Sequence, residues 1–249
     1  MIETSELTDW GARFGVAPEQ IERDHFVSHV LAAVGALELD LHFFGGTALC
    51  RTYLEGSRLS EDIDLLSSEA RDTLEEIKAK LPKSLRREFP DATWGVDDIE
   101  GDGFVAFLGA PTIRAIKIYV GREGPNTAAW NFAPTDVHLR YSDLNDFMAF
   151  SCPTLPTFAA MKLSAWYDRH APRDLFDLAG LAAHRDLRRD EVEGILLRKL
   201  PHGFIDAELE RVPSGVENAW LTELGAQAED LPSAQDCLRR AAEVFTGPH

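Results

Sequence analysis

A chain of 249 residues, 45% of them hydrophobic and 27% charged, can bury a sizeable core in one or two domains without disulfide or metal staples. Cys50, Cys152 and Cys237 form no CxxC pair, which argues against a structural zinc site and for a reducing, cytoplasmic setting. The acidic first thirty residues do not read as a secretory signal, and no apolar run approaches the roughly 18–20 residues of a membrane helix. The net charge of −17 speaks against a protein that coats nucleic acid nonspecifically, because such binding needs Lys and Arg to neutralise phosphates. The acid is uneven. Residues 1–70 hold four basic and thirteen acidic side chains, residues 200–249 hold three and nine, and the stretch 71–199 is nearly neutral.

Pro18-Glu19-Gln20 opens a helical pattern in which Ile21, Phe26, His29, Val30, Ala33 and Val34 recur at three- and four-residue steps to about Leu37. A short apolar run from Leu39 to Phe44 ends in Gly45-Gly46, and Thr47 leads a short helix over 48–54. Asp62 to Leu66 reads as a strand, with Ser68 capping a helix over 69–81. Phe104–Leu108 and Ile113–Val120 are the best strands, Gly121–Pro134 is loop-like, and Val137–Leu139 is a short strand. After Pro153 and Pro156 the pattern turns helical, at 156–168, 173–184, 189–199, 204–211, 215–227 and 233–245. The expected architecture is a mixed α/β domain over residues 1–150 followed by a helical domain over 151–249. No internal repeat is present.

One constellation carries chemistry. Asp62 and Asp64 are alternate residues of a strand, so both carboxylates point to one face. Adjacent like charges raise each other's pKa, and a divalent cation relieves them; hard oxygen ligands of this kind suit Mg²⁺, which takes one or two carboxylates plus substrate phosphates. Gly45-Gly46 ends a strand and opens a helix, where a bare backbone admits a phosphate to N–H donors.

Phe44-Gly45-Gly46-Thr47-Ala48-Leu49 followed by Arg58-Leu59-Ser60-Glu61-Asp62-Ile63-Asp64-Leu65 resembles the first motif of the AbiEii/AbiGii-type nucleotidyltransferase toxins, which include the mycobacterial MenT toxins. These belong to the polymerase-β-like nucleotidyltransferases. Ile116-Lys117-Ile118 looks like the second motif. The helix Phe158-Ala159-Ala160-Met161-Lys162-Leu163 looks like the third, and Arg173-Asp174-Leu175-Phe176-Asp177-Leu178 like the fourth. The resemblance implies a polymerase-β-like domain with a mixed sheet. It implies that Gly45, Gly46, Thr47, Ser60, Lys117 and Arg173 serve the nucleotide, and that Asp62 and Asp64 hold Mg²⁺, with Mn²⁺ as the alternative. It further implies that Lys162 faces the triphosphate and that Asp174 is needed for activity. A serine matching Ser60 is in some relatives the target of inactivating phosphorylation by the antitoxin.

Each residue has a plainer account. Lys162 sits among Phe158, Met161, Leu163 and Trp166, where a packed lysine stem is ordinary. Asp174 follows Pro172, and an acid in a first helical turn is stabilised by the helix dipole anyway. The superfamily supplies a third carboxylate two positions after the basic residue of the second motif, and this chain has Tyr119 there. Glu123, Asp97 and Asp98 are near in sequence, and none is assigned. His25 and His29 stand at i, i+4 with no third ligand beside them, so they are expected to be packed or solvated.

The function implied is transfer of NMP from NTP, to the 3′ end of tRNA by resemblance to the MenT toxins, in a toxin–antitoxin or phage-defence pair. The alternatives are nucleotidylation of a protein or small-molecule hydroxyl, and a non-catalytic nucleotide- or partner-binding module. Lys78, Lys80, Lys83, Arg86 and Arg87 form one basic run, and Arg185, Arg188, Arg189, Arg198 and Lys199 another; both fall in the near-neutral middle. They predict local RNA contact and little affinity for duplex DNA; the resemblance implies a cognate antitoxin, and the lack of a long apolar run predicts no membrane partner.

Overall fold

The structure is a computed structural model and describes residues 2–196, 203–225 and 231–246. Residues 1–128 with 132–153 form one compact unit, and residues 129–131 with 154–249 form another.

Period-two burial builds the sheet of the first unit. In β6 (Ile113–Arg122) Ile116, Ile118 and Val120 are buried while Ala115, Lys117 and Tyr119 between and before them are not. β2 (Ile63–Ser67) is buried on both faces, as an inner strand must be. The remaining strands are β1 (His42–Phe44), β3 (Thr93–Trp94), β4 (Asp98–Glu100), β5 (Gly103–Ala110), β7 (Phe132–His138) and β8 (Phe147–Pro153). They run in the order β3-β5-β6-β2-β1-β8-β7, with β4 paired to β5. Pairings β2–β6 and β1–β8 are parallel and the others antiparallel, so the sheet is mixed, as the α/β expectation required.

α2 (Pro18–Gly35) packs on β6, β8 and α4 (Ala70–Leu85). It buries Phe26, Val27, Val30, Leu31 and Val34 together with the charged Asp24. Asp24 accepts from Arg51 Nη2 at 2.8 Å, Arg140 Nη1 at 2.9 Å and the Tyr141 hydroxyl at 2.9 Å. That network ties α2 to the turn after α3 (Gly45–Cys50) and to the segment after β7.

Several boundaries differ from the sequence expectation, each for a physical reason. α1 (Thr4–Phe14) precedes the first expected helix and is held by Leu7, Trp10 and Phe14 against Ile21, Leu59 and Tyr141. α4 runs through Pro82 to Leu85, where Leu81 and Leu85 are buried one turn apart. Pro82 has no N–H for the carbonyl four residues back, that of Lys78, and the Trp94 indole N–H donates to that carbonyl instead at 3.2 Å. β7 begins inside the expected loop, and β8 was not expected at all. β8 is an inner strand whose partners, β1 and β7, are distant or irregular in sequence, and its alternation is masked by the adjacent buried pair Cys152-Pro153.

The second unit is helical: α5 (Leu155–Arg169), α6 (Pro172–Leu181), α7 (Arg189–Leu196), α8 (Phe204–Glu208), α9 (Val216–Leu224) and α10 (Ala234–Phe245). α6 packs against α5, α9 and α10 around Trp166, Leu175, Leu178, Leu181, Leu238 and Phe245. The ends of the expected helices 189–199 and 215–227, with Arg198 and Lys199, lie outside the described residues.

Candidate functional site

Strand pairing assembles the first motif. β1 and β2 are antiparallel with Phe44 opposite Asp64, so the turn at Gly45 meets the Asp64 carboxylate. Gly45 has φ +78°, and a Cβ there would overlap that carboxylate. Gly46 is also closely packed, though less so, since a Cβ would lie 3.1 Å from both Arg58 Nη2 and Ser60 Oγ. Thr47 is 1% exposed; its hydroxyl donates to the Asp62 carbonyl and lies 3.0 Å from Ser60 Oγ. The hydroxyl expected on a phosphate therefore fixes the backbone of Asp62. Asp62 is exposed and Asp64 half-buried, with Ile63 buried between them. The structure thus brings together Gly45, Gly46, Thr47, Ser60, Asp62 and Asp64. It adds the buried Arg58, which had drawn no notice as a site residue. Gly45→Ala is expected to destabilise the first unit by about 1–2 kcal/mol through its positive φ alone and to displace Asp64. A thermal melt with a parallel transferase assay tests this; an unchanged melting temperature and full activity would contradict it.

Beside β2, β6 runs parallel with Tyr119 in register with Asp64 and Ile118 with Ile63. Burial first, then the carboxylates of Asp102, Glu100 and Asp64, push the Tyr119 phenol up to about 12. It stays protonated near neutral pH and cannot replace the missing carboxylate. Its hydroxyl lies 3.4 Å from Asp102 Oδ1, and Lys117 ion-pairs with Glu100. Glu100 and Asp102 flank the Gly101 turn between β4 and β5, and they are the acids that the fold delivers to β6. The three acids noted in the sequence go elsewhere: Asp97 pairs with Lys78, Asp98 accepts from the Ile99 N–H, and Glu123 lies 3.5 Å from His42. The turn-forming Glu100-Gly101-Asp102-Gly103 between two strands was the available signal.

In the second unit, Lys162 is 7% exposed and held between Asp174 Oδ1 at 3.0 Å and Asp177 Oδ2 at 2.7 Å. Arg169, also unnoticed in the sequence, binds Asp174 with two nitrogens at 2.7 and 3.0 Å. Arg173 is exposed. Two cations and two carboxylates thus lock α5 to α6. Burial pushes the Asp174 carboxyl up, but Lys162 and Arg169 outweigh it and hold it below the ordinary carboxylate value. A depressed folded value contributes stability above the unfolded pKa near 4 and loses it as pH falls further. Asp174→Asn is therefore expected to lower stability at pH 7 and to flatten the acid-side loss between about pH 4 and 2, read by melts across that range. A variant with the wild-type acid profile would count against it.

Asp64, the second residue of β2, and Asp62, one residue before the strand, offer two carboxylates whose hard oxygens suit a divalent cation, and the bare Gly45 leaves room for one of them. Among solved structures, MenT4, a nucleotidyltransferase toxin from Mycobacterium tuberculosis H37Rv, is similar at a TM-score of 0.65 and 16% identity, covering 94% of this chain and 86% of that one. That likeness speaks for the fold. An antigenic nucleotidyltransferase-like protein from Paracoccidioides brasiliensis is more loosely similar, with a TM-score of 0.45, 17% identity and coverage of 84% and 94%. No curated protein matches the chain by sequence. The model of the family described as nucleotidyl transferase AbiEii toxin, type IV toxin–antitoxin system, matches residues 29–240, which include all four motifs. The chain belongs to the AbiEii nucleotidyltransferase toxin family.

Proposed function

We propose that this toxin is a Mg²⁺-dependent nucleotidyltransferase that adds nucleotides to the 3′ end of tRNA and so blocks aminoacylation and translation. The observation that carries the reading is the β1–β2 register, which sets Gly45-Gly46 against Asp64 and, through Thr47, fixes Asp62 beside it. Asp62 and Asp64 hold the cation, which supplies charge stabilisation to the phosphates when bound. The Gly45-Gly46 backbone admits the triphosphate, with Ser60 at its edge and Lys117 on the neighbouring strand. Arg173 is exposed at the start of α6, and a nucleotide role for it rests on the family resemblance. A phosphate role for Lys162 requires it to leave a carboxylate partner, so its first role is to hold α5 to α6 through Asp174.

The basic runs are less free than their sequence suggests. Lys78 pairs with Asp97 and Lys80 with Glu76, while Arg188 pairs with Asp190 and Arg189 with Glu193. This supports weak affinity for duplex DNA, and retention on heparin at physiological salt would contradict it. The main test incubates the protein with each labelled NTP, Mg²⁺ and total tRNA, beside Asp62→Ala. Label on tRNA that the variant fails to transfer is expected. Label only on a protein lysate moves the acceptor to a protein hydroxyl, and NTP binding without pyrophosphate release defeats the enzymatic reading.

A further inference from the structure

The sequence offered His25 and His29 without a third ligand; the fold supplies one from 114 residues further on. Asp143, in the turn between β7 and β8, meets both imidazoles on α2. His25 Nε2 lies 3.1 Å from His29 Nε2 and 3.1 Å from Asp143 Oδ2, and His29 Nε2 lies 3.3 Å from the same oxygen. Three donor atoms at these separations form one face of a tetrahedron. Bonds of about 2.0–2.1 Å to a zinc ion at its centre give edges of about 3.3 Å.

The surroundings suit a built site. The three side chains are 9%, 11% and 12% exposed. The Phe89 ring stands 5.7 Å from His25 and 5.2 Å from His29, and the Tyr141 ring stands 4.9 Å from His25. Arg140 and Tyr141, just before Asp143, are both anchored to Asp24 one position before His25, so the segment and the helix are held in register. Preorganisation of this kind lowers the cost of gathering ligands.

We propose that His25, His29 and Asp143 bind a Zn²⁺-class transition-metal ion, separately from the hard-cation pair Asp62 and Asp64. Imidazole nitrogen selects zinc and its neighbours over Mg²⁺, and three protein ligands leave a fourth position for water. The cysteine spacing argued against a structural zinc site, but it bears on thiolate ligands and not on this histidine–carboxylate set. Bound metal clips α2 to the β7–β8 turn across a long loop, and it stabilises the first unit by mass action.

The test titrates untagged full-length protein with Zn²⁺ by calorimetry and, in parallel, with Co²⁺ by visible absorption. One equivalent, the intense absorption of four-coordinate cobalt, and a melting temperature that rises with zinc are expected. His29→Ala and the near-isosteric Asp143→Asn should each weaken binding by about a hundredfold or more, since losing even an outer-shell partner costs 10–100-fold. Asp62→Ala should bind zinc as the wild type does, which keeps this result independent of the transferase reading. Circular dichroism checks that each variant is folded. Should a variant not fold, the cobalt spectrum of the wild type decides alone. Wild-type protein that gives only the weak spectrum of solvated cobalt, or folded variants that match its zinc affinity, would reduce the cluster to a hydrogen-bonded His–His–Asp group and overturn the proposal.

Discussion

Asp62→Asn is expected to leave the fold nearly untouched and to lower nucleotidyl transfer by about a thousandfold. Asp62 is exposed, and the group that secures it is its backbone carbonyl, held by the Thr47 hydroxyl, which asparagine retains. Surface substitutions away from packed features stay within about 0.5 kcal/mol, which is about 2 °C or less for a chain of this size. The catalytic loss is large because a bound cation contributes several kcal/mol of charge stabilisation, and every 1.36 kcal/mol or so is tenfold in rate. Half the formal charge of the cation's protein ligands would go with one carboxylate. Asp64→Asn should lose activity similarly and some stability as well, because that side chain is half-buried against Gly45. Pyrophosphate release and melting curves on the same preparations separate the two effects. Residual activity within tenfold of wild type in Asp62→Asn would remove the pair from the metal-binding role.

These residues were legible in the sequence because their signal is local. Gly45-Gly46-Thr47 and Asp62-Ile63-Asp64 sit on either side of one short helix, and a period of two suffices to put the carboxylates on one face. What was not legible depends on pairings made across long separations. β8 takes its place between β1 and β7, and a strand read on its own does not reveal which partner covers it. The extension of α4 past Pro82 needed Trp94, which is not in the helix and fills the carbonyl that proline leaves open. Lys162 illustrates the same limit. The spacing of the third motif shows a lysine on an apolar helix, but only the packing of α6 shows that two carboxylates and Arg169 surround the charge. No acid could be assigned to Tyr119 from the sequence, because the hairpin register is what brings Glu100 and Asp102 to β6.

Asp24→Ala is expected to destabilise the first unit by about 3–5 kcal/mol, the cost of removing one partner from a buried ion network. Asp24 is 1% exposed, and two guanidiniums and a phenol converge on its carboxylate. Arg51 is fully buried and its Nε has no hydrogen-bond partner, so Asp24 is the counter-charge that makes its burial tolerable. Burial already pushes the Arg51 guanidinium down to about 10. The remaining hydrogen bonds, Arg51 to the His138 carbonyl at 3.0 Å and to the Asp24 backbone carbonyl at 3.3 Å, and Arg140 to the Cys50 carbonyl at 2.8 Å, bring dipoles and no charge. At about 2–4 °C per kcal/mol for a chain of this length, the transition of the first unit should fall by roughly 10 °C. The pH dependence gives a second reading. Burial raises the Asp24 carboxyl, but Arg140 and Arg51 together outweigh it and hold the folded value below the ordinary one. The stabilisation is then complete above the unfolded pKa near 4 and is lost as pH falls through the folded value. Wild type should lose stability below about pH 4 in a step that Asp24→Ala lacks, and the two curves should converge towards pH 2. Asp24→Asn, which keeps the shape and part of the hydrogen bonding, should fall between them at pH 7. Melts of all three proteins from pH 7 to pH 2 decide the matter. A loss under 1 kcal/mol at pH 7, or parallel acid profiles, would show that the two arginines are neutralised by something other than Asp24.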